Sequence, residues 1–179
     1  MAVGLQAPSV LEAVPGVRVA ATAAGIRYRD RDDLVLIELA EGGTTAGVFT
    51  RNAFCAAPVT IAKAHLAAAS PRYLLINAGN ANAGTGQSGL DAARLTCEAV
   101  SRVTGCAPET VLPFSTGVIG ELLPAERIVP HLPALHEALV EDGWLQAARA
   151  IMTTDTLPKG VSRKVEIGGQ TVTLTGIAK

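Results

Sequence analysis

The first fifty residues alternate short aliphatic runs with small and turn-forming residues, a pattern typical of antiparallel strands. Glu41-Gly42-Gly43 has the composition of a turn and separates the last two runs. The pattern therefore predicts a sheet at the start of the fold. Its four predicted strands are residues 16–21, 25–28, 33–39 and 45–50.

From residue 58 onward, apolar spacings typical of helices alternate with short buried strands. A further helix is expected to begin at Pro124, because proline suits the first turn of a helix. The alternation favours an α/β fold in which mainly antiparallel sheet is covered by helices, in a single domain spanning residues 1–179. The predicted elements are helices 58–69, 90–104, 133–140 and 144–152, strands 73–76 and 110–114, and a loop over residues 77–89.

The last part of the sequence predicts a β-hairpin. Residues 164–167 and 170–175 alternate in polarity on either side of Gly168-Gly169, a pair suited to a two-residue turn. One face of this hairpin would carry four apolar side chains, those of Val165, Ile167, Val172 and Leu174. The sequence ends at Lys179 as the second strand ends, which suggests processing or truncation.

Composition adds a subunit interface to this picture. Hydrophobic residues make up 49% of the chain, but charged residues only 17% and aromatic residues only 3%. The apolar excess therefore lies in small and aliphatic side chains, which favours tight packing of helices on sheet or a large interface with another chain. We favour the interface.

Charge and hydropathy exclude two classes of partner. The net charge is −1 and the charges are scattered, so the chain has no basic stripe for a nucleic-acid backbone. No apolar run approaches the length of a membrane span. The first basic residue is Arg18, so residues 1–15 lack the charged start of a signal peptide. We expect a cytoplasmic protein that does not bind membranes.

The cysteines and histidines show no catalytic or metal-binding pattern. The three cysteines form no C-x-x-C pair and are expected to be buried free thiols, and the three histidines are expected to be surface or helix residues. No metal site is predicted. These residues are Cys55, Cys97, Cys106, His65, His131 and His136.

Gly84, Gly86 and Gly89 match the G-x-G-x-x-G pattern of dinucleotide-binding sites, and Glu109 follows twenty residues beyond. That fingerprint requires its first glycine directly after a strand, whereas residues 77–83 intervene here. We therefore reject a dinucleotide site. The three asparagines in the predicted loop over residues 77–89 could line a binding site or belong to an ordinary surface loop.

Two polar segments are candidates for chemistry. Ser115-Thr116-Gly117 follows a predicted strand, and such a turn can present an N–H group and a hydroxyl to a developing negative charge or can simply be a capped turn. Thr153-Thr154-Asp155-Thr156 follows a predicted helix and offers either capping or hydroxyls for a ligand. The residues alone favour the structural interpretation of both segments.

Seven blocks of residues, in order, resemble the ornithine acetyltransferases, a family of arginine biosynthesis, over nearly the whole chain. Any one block is modest, but seven in the same order leave little room for coincidence. The blocks are residues 23–26, 46–52, 56–59, 77–83, 115–120, 151–156 and 176–179.

The resemblance implies an α chain cut from a self-cleaving precursor. In that family a β chain begins with the nucleophilic threonine, and the run that precedes this threonine is absent after Lys179 here. The implied fold is an N-terminal-nucleophile-like α/β sandwich shared with that β chain. Pairs of α and β chains are implied to form a higher oligomer such as a heterotetramer.

The implied activity is ping-pong transfer of an acetyl group from N-acetylornithine to glutamate, without a cofactor. The resemblance assigns Thr116 and Gly117 to the oxyanion hole and Thr153 and Lys179 to substrate binding, while Asp155 is a weaker candidate for orienting them. It leaves open whether acetyl-CoA is also a donor.

Two other functions are weighed against this one. The first is a related self-processing aminopeptidase or amidohydrolase with an N-terminal nucleophile, which the acetyltransferase-like blocks disfavour. The second is a non-catalytic module that binds a nucleotide through residues 77–89, for which we expect no binding.

Overall fold

The computed structural model describes Gly4 and residues 6–179. Within these residues the strands are β1 (Val17–Thr22), β2 (Leu34–Leu39), β3 (Tyr73–Asn80), β4 (Val111–Val118), β5 (Lys159–Ile167) and β6 (Gln170–Ala178). The helices are α1 (Ala57–Ala68), α2 (Gly86–Thr104), α3 (Ala125–Ile128), α4 (Leu132–Glu137) and α5 (Trp144–Ala150). Single 3₁₀ turns lie at Pro108–Thr110 and Val129–His131.

The main sheet has four strands in the order β1-β2-β3-β4. The first two pairings are antiparallel, and β3 and β4 are parallel. Helix α2 connects the parallel pair and ends at Gly105, whose left-handed φ of 74° is the conformation that commonly terminates a helix. The predicted α/β fold with mainly antiparallel sheet is confirmed.

Both faces of this sheet are covered, and the alternation within β2 shows how. Leu34 and Leu36 point to one face and pack with residues of α1, α2 and α4. Val35 and Ile37 point to the other face, where Trp144 of α5 packs against them. Because strand β2 is buried on both sides, its sequence is a continuous aliphatic run.

The predicted hairpin is confirmed as strands β5 and β6, which form a separate two-stranded sheet. Its turn glycines, Gly168 and Gly169, both have positive φ (59° and 79°), as the tight two-residue turn requires. Val165 pairs directly with Val172, so the predicted apolar face exists. Ile167 on that face is 62% exposed, and the described residues do not cover it.

Two of the four predicted N-terminal strands are wrong. Residues 25–28 form no strand, because the buried carboxylate of Asp33 accepts the N–H groups of Ala24 (2.8 Å) and Ile26 (2.7 Å). Residues 45–50 also form no strand, and there the Thr50 carbonyl accepts a bond from Lys63 Nζ (3.2 Å). Alternating polarity fits any extended segment, whether or not a partner strand lies beside it.

The predicted loop over residues 77–89 is too long. Parallel pairing carries β3 and β4 as far as Asn80 and Val118, so residues 77–80 and 115–118 are strand. Ser115-Thr116-Gly117 is therefore not the predicted turn. Helix α2 begins at Gly86, which leaves 81–85 as the connection. Helices α4 and α5 are two or more residues shorter than predicted.

All three cysteines are free, but only Cys97 is buried, while Cys55 and Cys106 are half-buried. Burial raises the pKa of the Cys97 thiol to about 12, so this thiol is chemically inert. His65 lies on α1, and its Nδ1 is 2.7 Å from the Val111 carbonyl oxygen. His136 lies on α4 and contacts the edge of the Tyr73 ring. His65 and His136 are thus helix residues, which fits the expectation of surface or helix positions, and His131 lies in the 3₁₀ turn Val129–His131.

None of the helices in the described part of the chain has both the length and the apolar character that crossing a membrane requires. Over the same residues, no three histidine, cysteine, aspartate or glutamate side chains group in a way that could hold a metal ion.

Candidate active site

The strand-pair region, which we define as residues 77–80 of β3 and 115–118 of β4, leaves no room for a side chain at Gly117. Thr116 pairs with Ala78, and Gly117 pairs with Gly79. A Cβ atom placed on Gly117 would lie 2.3 Å from the carbonyl carbon of Gly79, and Gly117 has a φ of 139°. Only glycine fits this position.

Three asparagines hold the strand-pair region in place. Asn77 donates to Ser115 Oγ (2.6 Å), and Asn80 donates to the carbonyls of Glu121 and Leu122 (3.1 Å each). Asn82, which is fully buried with φ 46°, donates to the Gly89 carbonyl (2.9 Å). These amides are used within the protein and are not directed at a ligand.

The same contacts explain the glycine-rich motif. A Cβ atom on Gly89 would lie 2.0 Å from Thr85 Oγ1 and 2.6 Å from Asn82 Oδ1. Gly89 lies in the first turn of α2 and is required by side chains of the preceding connection, which supports the rejection of a dinucleotide site.

Thr116 and Gly117 lie near the end of β4, which is the edge strand of the four-stranded sheet. Thr116 is half-buried and Gly117 is exposed. An edge strand has backbone N–H groups without a neighbouring strand, and these can meet an incoming ligand. A hydroxyl and a backbone donor are thus adjacent at an accessible edge, which is the arrangement that stabilises an oxyanion.

A groove of about 320 Å³ opens beside the strand-pair region. Phe49, Pro58, Phe114 and Ser115 are among the residues that line it. Apolar side chains around this part of the chain are exposed, and they include Val48, Phe54, Ile119 and Leu122. A largely apolar surface therefore lies beside the strand-pair region, and the described residues leave it uncovered.

The second candidate group, which we call the Asp155 cluster, consists of Thr153, Asp155, Lys159 and Lys179. Asp155 Oδ1 binds the ammonium of Lys159, and Oδ2 lies 3.3 Å from Lys179 Nζ. Oδ2 also accepts the backbone N–H of Thr153 at 3.3 Å. The Asp155 side chain is only 11% exposed, so these contacts surround its carboxylate.

These contacts lower the pKa of Asp155 to about 2, first through the hydrogen bond from Lys159, then through the Thr153 N–H and Lys179. Burial opposes this shift but is the weaker effect. Asp155 is consequently an anion at physiological pH and cannot serve there as a general acid.

The structure thus joins two of the predicted site residues, Thr153 and Lys179, through one carboxylate. None of the hydrogen bonds and salt bridges between described side chains links the Asp155 cluster to Thr116 or Gly117. Sequence reasoning missed Lys159. Extending the hairpin pattern back from residue 164 would have placed Lys159 opposite Ala178, next to Lys179.

Two solved structures have the same fold. The ornithine acetyltransferase from Mycobacterium tuberculosis, solved in complex with ornithine, matches with a TM-score of 0.87 and 33% identity. The match covers 94% of this chain and 90% of that one. The arginine biosynthesis bifunctional protein ArgJ from Bacillus halodurans matches with a TM-score of 0.83 and 30% identity, over 92% of this chain and 86% of that one. The fold is therefore that of the ArgJ and ornithine acetyltransferase structures.

The chain belongs to the ArgJ family, whose model matches residues 18–179. It is 58% identical over 166 residues to the arginine biosynthesis bifunctional protein ArgJ of Methylococcus capsulatus, covering 93% of this chain and 40% of that protein. It is 54% identical over all 179 residues to the protein of the same name from Pseudomonas syringae pv. tomato, covering 44% of it. The chain thus spans less than half the length of these relatives.

Proposed function

We propose that this chain is the α chain of a glutamate N-acetyltransferase, which transfers the acetyl group of N²-acetyl-L-ornithine to L-glutamate in arginine biosynthesis. The observation that carries the proposal is the family match over residues 18–179. The names of the relatives place them in arginine biosynthesis, and the M. tuberculosis structure contains ornithine, the amine that such a transfer would release.

A second chain supplies the nucleophile in this proposal. The matched chains in the two solved structures are covered to 86% and 90%, whereas the curated relatives are covered to 40% and 44%. This difference supports a precursor divided into two chains. The exposed apolar side chains of Val48, which lines the groove with Ser115, and of Phe54 suit burial beneath a β chain. We further propose that such αβ pairs form a higher oligomer.

The chemistry is two acyl transfers on an N-terminal threonine of the β chain. Its hydroxyl attacks the acetyl carbonyl of acetylornithine while its own α-amine accepts the hydroxyl proton. The amide C–N bond then breaks, and ornithine leaves with that proton. The neutral amine of glutamate next attacks the acetyl-threonine ester, the ester C–O bond breaks, and the proton lost by that amine returns to the threonine oxygen, so that N-acetylglutamate leaves and the free hydroxyl is restored. Acetyl-CoA would serve as a donor in the first step if the enzyme is bifunctional, as its relatives are named.

The α chain supplies electrostatic stabilisation and binding. Each attack places negative charge on the acetyl oxygen, and in the proposal the Thr116 hydroxyl and the Gly117 N–H bind that oxygen. Lys179 pairs with the carboxylate of the amino-acid substrate, and Thr153 offers a hydroxyl nearby. The shared contact of Lys179 and Thr153 with Asp155 supports their acting at one site.

The test is expression of a full-length precursor that contains this chain, compared with the chain alone. The precursor should yield two chains and transfer acetyl groups from acetylornithine to glutamate, while the chain alone should be inactive and should associate through its apolar surface. Acetyl transfer by the isolated, monodisperse chain would overturn the proposal. Hydrolysis of peptide amides without acetyl transfer would favour the aminopeptidase alternative.

A further inference from the structure

The base of the β5–β6 hairpin places two lysines on one carboxylate. Lys159 begins β5 and pairs in register with Ala178, so Lys179 is the next residue beyond that pair. Their ammonium groups contact different oxygens of Asp155. The carboxylate therefore cannot rotate without losing one of its two ion pairs.

The cluster carries one uncompensated positive charge. Two ammonium groups face a single carboxylate, and neither lysine forms a salt bridge with another acidic side chain in the described part of the chain. An ammonium has three N–H donors, and Asp155 takes one from Lys179. The remaining donors and the net charge suit the binding of a second carboxylate, one that belongs to a ligand.

The contact between Lys179 and Asp155 is not needed to hold the Asp155 loop against the hairpin. The Asp155–Lys159 pair alone would fasten residue 155 to β5. Lys179 nevertheless contacts the same carboxylate, and its side chain is 24% exposed. Lys164, on the same hairpin, pairs with Glu12 and stays 55% exposed.

We propose that Asp155 is a positioning residue, which fixes Lys179 and the backbone of Thr153 so that Lys179 presents its remaining N–H donors to the carboxylate of the amino-acid substrate. This inference rests on the proposed function, in which Lys179 binds that carboxylate. Asp155 itself touches no reacting atom.

Asp155→Asn tests the idea with almost no change of shape. The amide keeps an acceptor for the Thr153 N–H but loses the charge that holds two mutually repelling ammonium groups. In the assembled enzyme we expect KM for acetylornithine or glutamate to rise about 10-fold or more, the usual effect of losing a charge-assisted contact. Because Lys179 does not contact the acetyl oxygen, kcat should change by less than about 3-fold.

A double-mutant cycle distinguishes positioning of Lys179 by Asp155 from a purely structural role of Asp155. If Asp155 acts through Lys179, then Asp155→Asn should raise KM by less than about 2-fold in the Lys179→Gln background. An effect as large in that background as in the wild type would overturn the proposal. Asp91→Asn, which removes the exposed partner of Arg94 on α2, is the matched control and should leave KM unchanged.

Two readouts do not require turnover. L-ornithine binding, measured by calorimetry on the assembled enzyme, should weaken by about the same factor as KM rises. The crystal structure of the Asp155→Asn enzyme should show Lys179 Nζ displaced from its wild-type position. If the wild-type enzyme neither transfers acetyl groups nor binds ornithine, the proposed function fails and the substrate-binding role of Lys179 fails with it, whereas the Lys179 position still decides whether Asp155 positions that lysine. An unmoved Lys179 would overturn that positioning role.

Discussion

The strand-pair region and the Asp155 cluster are held together by different forces. In the first, Gly117 leaves no room for a Cβ atom beside Gly79, and asparagine amides bond to neighbouring main chain and to the Ser115 hydroxyl. In the second, one carboxylate holds two lysines and a backbone N–H. The first region depends on shape and tolerates no added atom. The second depends on charge and should respond to pH.

The largest expected effect is that of Gly117→Ala. The added Cβ would lie 2.3 Å from Gly79 backbone, at a φ that side chains rarely adopt, so we expect a loss of about 3–5 kcal/mol in the free energy of unfolding. Urea unfolding of the assembled enzyme measures it. Gly176→Ala in β6, where a Cβ would have no neighbour within 4 Å, is the control. Equal stability of the two variants would show that the backbones are not packed as described.

Thr116→Ala separates the catalytic from the structural use of the strand-pair region. If its hydroxyl binds the oxyanion, kcat should fall about 10²- to 10³-fold, roughly 3–4 kcal/mol, with KM almost unchanged. Single-turnover acetylation of the assembled enzyme, recorded beside its melting temperature, measures both effects. Thr116→Ser retains the hydroxyl and should retain most of the activity. A variant that melts early but acetylates normally would assign Thr116 a structural role only.

Lys179→Ala should show the opposite kinetic signature. Its charge binds a carboxylate that does not react, so it acts on ground state and transition state alike. KM for acetylornithine or glutamate should rise about 10- to 100-fold, while kcat changes much less. Steady-state kinetics with each substrate varied in turn measures the effects on KM and on kcat separately. A fall in kcat at constant KM would show that Lys179 acts on the chemical step and not on substrate binding.

The smallest expected effect is on stability at low pH. The folded-state pKa of Asp155 is about 2, below its ordinary value of 3.8, so the stabilisation is fully present above about pH 4 and is lost as the pH falls towards 2. With allowance for solvent screening, it amounts to about 1–2 kcal/mol. Unfolding free energies of wild type and Asp155→Asn should therefore converge between pH 4 and pH 2. A constant difference over that range would mean that Asp155 is not ionised as described.

The sequence predicted the elements whose local pattern is strong. Gly168-Gly169 identified the hairpin, and the helix predicted over residues 90–104 ends at the same residue as α2. It failed at residues 25–28 and 45–50, where the same alternation lacks a partner strand. For the candidate site, the sequence pointed to Thr116, Gly117, Thr153 and Lys179 only with the help of the family resemblance. It did not point to Lys159.

By itself the sequence determined the α/β class, the aliphatic strand over residues 33–39 and the polar segments at 115–117 and 153–156, because these follow from side chains and their spacing. Only the tertiary structure decided that residues 77–80 and 115–118 are paired strands, that the asparagines serve the protein's own main chain, and that Lys159 and Lys179 share Asp155. The strand pairing, the Asn80 contacts and the Asp155–Lys179 ion pair join residues 24 to 42 positions apart, and contacts over such separations leave no periodic signal along a single chain.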